Sequence, residues 1–310
     1  MHNLRDALRS AIVGTALVFG TIAANTAAFA QATDPAHIDL AALSTRFDRP
    51  EALQGWSQHV VPGFSDKWRA PRVENGRLVL EPTSSGWFED MQAGHLYRPV
   101  DGNFVVTAKL RVEGTKAQLP QTLFSLAGIF VRVPRDGLTA ASWQPGRENW
   151  MFFSIGSAFP AGAPQFEVKT TYNSLSTLKI SSAAAVYAGG KTRDVELRIA
   201  RQGELFSLLY RIEGQSEFTL LEQFIRPDLP QRLNVGLTAY ADWGSAAPVY
   251  PDFPRYNTQA PPMGGDLVAR VERIDFRRPT VDRFPVASFD VSSSFMPGVS
   301  QARIDDLIKR

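Results

Sequence analysis

The 310-residue sequence contains no cysteine. That excludes disulfides, thiolate metal sites and thiol nucleophiles, so the fold must be held by its apolar core alone. Histidine is nearly as scarce, with four in all. Beyond the N-terminal leader only His37, His59 and His95 remain, too far apart in sequence to suggest a multi-histidine metal site. Charge of one sign is also lacking. The formal net charge is +2, with Lys and Arg scattered rather than clustered, so no nucleic-acid partner is expected. Long helical periodicity and internal repeats are absent. After residue 30 no run is long and apolar enough to span a membrane.

What is present is an ordinary globular composition, 44% hydrophobic and 21% charged, sufficient for a full core. Residues 1–30 read as a signal peptide. Arg5 and Arg9 form the basic region, an apolar run follows from Ala11 to about Ala24, and Ala28-Phe29-Ala30 supplies an A-x-A cleavage site. The two arginines are not adjacent, so this is no twin-arginine signal. A secreted or periplasmic location is expected, with Gln31 as the first mature residue. Residues 31–44 form a short leader, 45–279 one domain, and 280–310 an extension ending in a short amphipathic helix with Ile304, Leu307 and Ile308 on one side.

Strand chemistry dominates between those ends. "GRLVLEP", "NFVVTAKLRVEG", "LAGIFVRVP", "PQFEVKTTYN", "RLNVGLTAYAD" and "DLVARVERIDFRRP" are β-rich runs bounded by Gly, Pro, Asn and Asp. In "TRDVELRIARQGELFSLLYRIEG", "RQG" joins two alternating runs as a tight hairpin. Val195, Leu197 and Ile199 there share an inner face, opposite a wet face of Asp194, Glu196 and Arg198. The stretch from Trp243 to Gly265 is rich in Pro and Gly. It also carries Trp243, Tyr250, Phe253 and Tyr256, so it reads as an ordered loop packed on the body rather than a linker. Many antiparallel strands and few helices predict an all-β, two-sheet sandwich or jelly roll.

"GRENWMFFSIG" poses a specific problem. As a strand it puts Met151, Phe153 and Ile155 on one face and Trp150 and Phe152 on the other. The first set suits the inter-sheet core. The second leaves aromatics on a face that should be polar. Glu148 beside them reads as a turn carboxylate.

"TRFDRPEALQGWSQHV", with Phe47, Asp48, Gly55 and Trp56, resembles the opening of bacterial secreted domains of the concanavalin A-like lectin/glucanase superfamily. "FEDMQAGHLYRPVDGNFVVTAKLRV", "AGIFVRVPRD" with "ENWMFFSIG", and "ARVERIDFRRP" are similar to its later units in order. The resemblance implies a bent jelly roll whose concave sheet lines a groove that often holds carbohydrate. It also implies a structural calcium ion where first and last strands meet, with Asp48 and Asp275 as ligands. No other cofactor is expected.

The glycosidase signature E-x-D-x-x-E of that superfamily is absent. Glu89 and Asp90 are adjacent, and Glu272 and Asp275 are three apart, so each pair points to opposite faces of a strand. No catalytic residue is assigned. The leading expectation is a carbohydrate-binding, lectin-like monomer whose groove combines aromatic platforms with orienting polar groups. Its candidates are Trp87, His95, Tyr97, Arg132, Trp150, Lys169, Tyr172, Tyr240, Asp242 and Trp243. The alternatives are a polysaccharide-cleaving hydrolase or lyase using the same groove, and an envelope structural protein without a small ligand.

Overall fold

The computed structural model describes residues 39–262 and 264–280. The expected signal peptide with its cleavage site, His37 and the expected C-terminal helix lie outside the described residues.

The strands are, in chain order, β1 (Thr45–Arg46), β2 (Ser57–Gln58), β3 (Arg72–Glu74), β4 (Arg77–Leu80), β5 (Leu96–Asp101), β6 (Phe104–Glu113), β7 (Ser125–Arg132), β8 (Trp150–Ser157), β9 (Pro164–Tyr172), β10 (Leu175–Ser182), β11 (Val195–Gln202), β12 (Leu205–Ile212), β13 (Thr219–Ile225), β14 (Arg232–Tyr240) and β15 (Val268–Arg277). The first sheet runs β13-β12-β11-β6-β15-β4-β3, with β1 also pairing β15. The second runs β10-β9-β8-β7-β14-β5-β2. The ladders of both sheets are antiparallel. This is an all-β, two-sheet sandwich, as the alternating runs predict.

Alternation explains the core. Val106, Ala108 and Leu110 of β6, and Val195, Leu197 and Ile199 of β11, point inward from the first sheet. They meet Ile129 and Val131 of β7, Met151, Phe153 and Ile155 of β8, and Val235 and Leu237 of β14. The "RQG" hairpin is present: Gln202 pairs with Leu205 across a two-residue turn that opens with Gly203 at φ +63°. The charges outside the first sheet are less wet than the alternation suggests. Asp194 and Glu196 are buried under arginine side chains, with Arg77 and Arg111 on Asp194 and Arg211 and Arg273 on Glu196.

The second sheet differs because its outer face is also covered. β8 is buried at every residue from Trp150 to Ser157. The segment after β4 crosses that face, bridging Ser84 to Ala241. The Trp243–Gly265 stretch then packs over it, but not as a plain loop. It forms two short helices, α1 (Trp243–Ala246) and α2 (Phe253–Thr258). Asp252 caps α2 by accepting from the Arg255 amide at 3.1 Å, and Pro254 stands in its first turn. No helix among the described residues is long and apolar enough to cross a membrane.

Candidate functional site

Trp87, Leu126, Phe130, Trp150, Phe152 and Tyr240 form a second apolar core outside the second sheet. The Trp87 ring lies 4.6 Å from Phe130 and 6.0 Å from Trp150, and its Nε1 donates to Thr238 Oγ1 at 3.0 Å. The covering segment is clamped from above. The Gly86 amide donates to the Tyr256 hydroxyl at 2.8 Å, and Asn257 Nδ2 donates to the Asp90 carbonyl at 3.0 Å. Lys67 ties the segment before β3 to the end of α2 through the Tyr256 and Gln259 carbonyls. Burial lowers its ammonium to about 8. Gly94 is required where the segment turns down: a Cβ there would lie 2.1 Å from the Trp68 ring.

This corrects the expected groove. Trp150, the foremost candidate platform, is fully buried, and so are Trp87, His95, Arg132, Lys169 and Tyr240. For Trp150, Arg132, Lys169 and Tyr240, alternation correctly turned the side chains away from the inter-sheet core. The face they occupy is filled by the protein itself, so none of them is open to a ligand. Of the other candidates Tyr97, Asp242 and Trp243 are half-buried and Tyr172 is exposed.

Several buried polar groups on this face pair with one another, while Trp150 Nε1 and Glu167 Oε2 are left without a hydrogen-bond partner. Lys169 Nζ donates to the Tyr240 hydroxyl at 2.6 Å and the Trp87 carbonyl at 3.1 Å, and pairs with Glu167 at 3.0 Å. The Tyr240 hydroxyl donates to Glu167 Oε1 at 2.6 Å. Burial, with Glu167 beside it, holds that phenol well above its ordinary value, so it stays protonated. At the other end of the face Arg132 grips Glu148 with two hydrogen bonds, Nε to Oε2 at 2.9 Å and Nη2 to Oε1 at 3.0 Å. Arg135 adds a third bond to the same carboxylate, and Gln92 Nε2 a fourth at 3.1 Å. Burial would raise the Glu148 carboxyl, but the two arginines outweigh it and hold the group below the usual carboxylate range. Such a carboxylate keeps no proton to give, and it has no exposed surface.

His59 joins this cluster although no motif singles it out. Gln92 spends its amide nitrogen on Glu148, so its oxygen faces His59 Nε2 at 2.7 Å, and that nitrogen must donate. Nδ1 then faces Arg132 as an acceptor at 3.5 Å. Burial and Arg132 lower the imidazole to about 4. In the unfolded chain it titrates near 6.5. The unfolded state therefore binds more protons between these values, and stability present above pH 6.5 is lost as pH falls towards about 4. The expected loss is about 3 kcal/mol. Buried His95 is lowered too, first by burial, and acts in the same direction. Urea midpoints at pH 7, 5.5 and 4.5 check this. The midpoint should fall steadily, and His59→Gln should flatten the fall. A wild-type midpoint that does not move would contradict the neutral imidazole.

The cavities on this side are small. One of about 30 Å³ is lined by His59, Lys67, Gln92 and Asn257, and one of about 50 Å³ lies beside Lys67 and Tyr256. Each has room for a few waters at most, against the roughly 300 Å³ of a small-molecule site. Of the expected calcium ligands, Asp275 accepts from Arg273 Nε at 2.9 Å and Asp48 is exposed.

What this side offers a ligand is on top of the cover. Phe88, Trp243, Tyr250 and Phe253 form an aromatic cluster with ring centroids 5.7 to 6.1 Å apart. Phe88 and Trp243 are half-buried against Met91 and Ala246, and Tyr250 is 39% exposed. The Tyr250 hydroxyl donates to Glu89 Oε2 at 3.0 Å, and the Glu89 amide, at a residue with φ +51°, donates to Ser176 Oγ at 2.7 Å. Ser176 belongs to the β9–β10 hairpin that carries exposed Tyr172 and Leu175. Trp243 alone of this cluster is among the sequence candidates. Its partners were visible as aromatics of the Pro-rich stretch and of "GWFED", but nothing in the sequence joins the two.

A crystal structure of xylan β-1,4-xylosidase from Bacillus halodurans C-125 superposes with a TM-score of 0.50 at 12% identity, covering 76% of this chain and 39% of that one. The fold is the two-sheet jelly-roll sandwich of concanavalin A-like type. A functionally unknown protein from Saccharomyces cerevisiae is also similar, at TM-score 0.48 and 17% identity over 74% of this chain and 99% of that one. A lectin from Bauhinia forficata in complex with GalNAc gives a TM-score of 0.45 at 11% identity over 75% and 96%. No protein-family model and no curated protein matches the sequence.

Proposed function

We propose that this is an exported, non-catalytic carbohydrate-binding protein whose platform is the Phe88–Trp243–Tyr250 cluster, rimmed by Glu89. The observation that carries the reading is the half-exposed aromatic surface beside a carboxylate already oriented by a phenol. Sugar rings present C–H faces to aromatic side chains and hydroxyls to a fixed acceptor, and this surface offers both. The sandwich is shared with a xylosidase, which makes polysaccharides the first ligands to try; the fold itself does not choose a function. Cleavage in the concave groove is disfavoured, because Glu148 and Glu167 are sealed from solvent.

The test is affinity electrophoresis and a glycan array with wild type, Trp243→Ala and Tyr250→Ala. Wild type should be retarded by at least one polysaccharide. Each variant should lose about tenfold in affinity, or roughly 1.4 kcal/mol, with a cooperative urea transition that shows the fold is kept. An array with no bound glycan, or variants that bind like wild type, would remove the reading.

A further inference from the structure

A larger cleft lies on the opposite side of the molecule, at the end of the first sheet. It measures about 860 Å³, within the range of small-molecule sites. Arg111 and Glu113 from β6, Gln118, Lys191, Arg193 and Glu213 line it, together with Gly189 and Gly190. Both glycines have positive φ, +73° and +69°, and no atom lies within 4 Å of where a Cβ would stand. The backbone there is therefore bare toward the cleft.

The charges in the cleft are of two kinds. Arg111 is committed: its Nε donates to Asp194 Oδ1 at 2.9 Å, which fixes the guanidinium at the cleft floor while leaving it one-third exposed. Buried Asp194 is also held by Arg77 at 2.8 Å, and although burial would raise its carboxyl, these arginines keep it ionised and its charge is spent. Lys191 and Arg193 are exposed and pair with no carboxylate among the described residues. Glu113 and Glu213 are engaged only loosely, Glu113 with Arg270 at 3.6 Å and Glu213 with the Asp194 amide at 3.3 Å. Two uncommitted cations thus stand beside two carboxylates and an amide with spare acceptor capacity.

We infer that this cleft binds an anionic glycan, a sugar chain bearing carboxylates such as a uronate. Its carboxylate pairs with Lys191 and Arg193, Arg193 offering the bidentate fork. Its hydroxyls donate to Glu113, Glu213 and Gln118. A small inorganic anion would meet the cations but leave the acceptors unused, and a neutral sugar would do the reverse. The site stands apart from the aromatic platform and does not rest on it.

Calorimetric titration of the full chain with an oligogalacturonate at low salt tests the inference. Wild type should bind, with affinity falling as salt rises. Lys191→Gln and Arg193→Gln should each weaken binding about tenfold. Both substitutions are at exposed positions, and an unchanged urea midpoint separates lost contact from lost fold. A wild type that binds no oligogalacturonate at low salt overturns the inference, as do variants that bind like wild type. Tighter binding of a heparin oligosaccharide than of the uronate overturns the carboxylate assignment.

Discussion

Trp150→Ala is expected to destabilise the protein by about 3–5 kcal/mol. The indole has no exposed surface and contacts Phe130 and Trp87 at centroid distances of 5.4 and 6.0 Å. Both rings of that cage are themselves held, Trp87 by Thr238 and the covering segment by α2, so the hole left by alanine has little means of collapse. Against a total stability of 5–15 kcal/mol typical of such domains, the loss is large enough to read in any urea titration. Trp243→Ala serves as the control. Its ring lies on the cover rather than beneath it, and its removal should shift the midpoint far less. Equal midpoints for the two variants would mean that the outer face of the second sheet is open and the second core does not exist.

That contrast marks what the sequence reveals and what it hides. Alternation assigned Met151, Phe153 and Ile155 to the inter-sheet core, and β11 shows the same inner set of Val195, Leu197 and Ile199 that its run displays. The sandwich follows from such short-range regularity. Whether the opposite face of β8 meets solvent does not, because it depends on a segment that precedes β5 in the chain. "SSGWFEDMQAG" has no period and forms no regular strand, so nothing local announces that it lies across a sheet. Trp87 was therefore legible as a candidate ligand-binding aromatic, but not as the residue that fills the outer face. α2 was better marked, since Asp252 and Pro254 carry a cap and a first-turn proline within a stretch otherwise dominated by Pro and Gly. The Arg132–Glu148 pair left only a trace. Arg132 stands out as a charge in an apolar strand, but Glu148 looks like any turn carboxylate until Asp90, Ser174 and Gln92 gather round it.

Glu148→Leu should damage that face as much as Trp150→Ala does, costing about 3–5 kcal/mol. The glutamate is the shared acceptor of Arg132, Arg135 and Gln92, and Arg132 is 1% exposed. Without the carboxylate the Arg132 guanidinium loses its bidentate partner, and it cannot reach water without unpacking the second core. Arg135 has a way out, since its side chain already shows some surface. The penalty therefore belongs mainly to Arg132. Replacing both partners, Arg132→Met with Glu148→Leu, removes the stranded charge and should restore most of the loss, because two apolar side chains of similar volume suit a face already built from Trp87, Phe130 and Trp150. Urea denaturation of the two single variants and the double gives the coupling energy directly. If the double variant is as unstable as the sum of the singles, the pair acts through its shape and hydrogen-bond geometry rather than through compensated charge, and the electrostatic account of this end of the sheet fails.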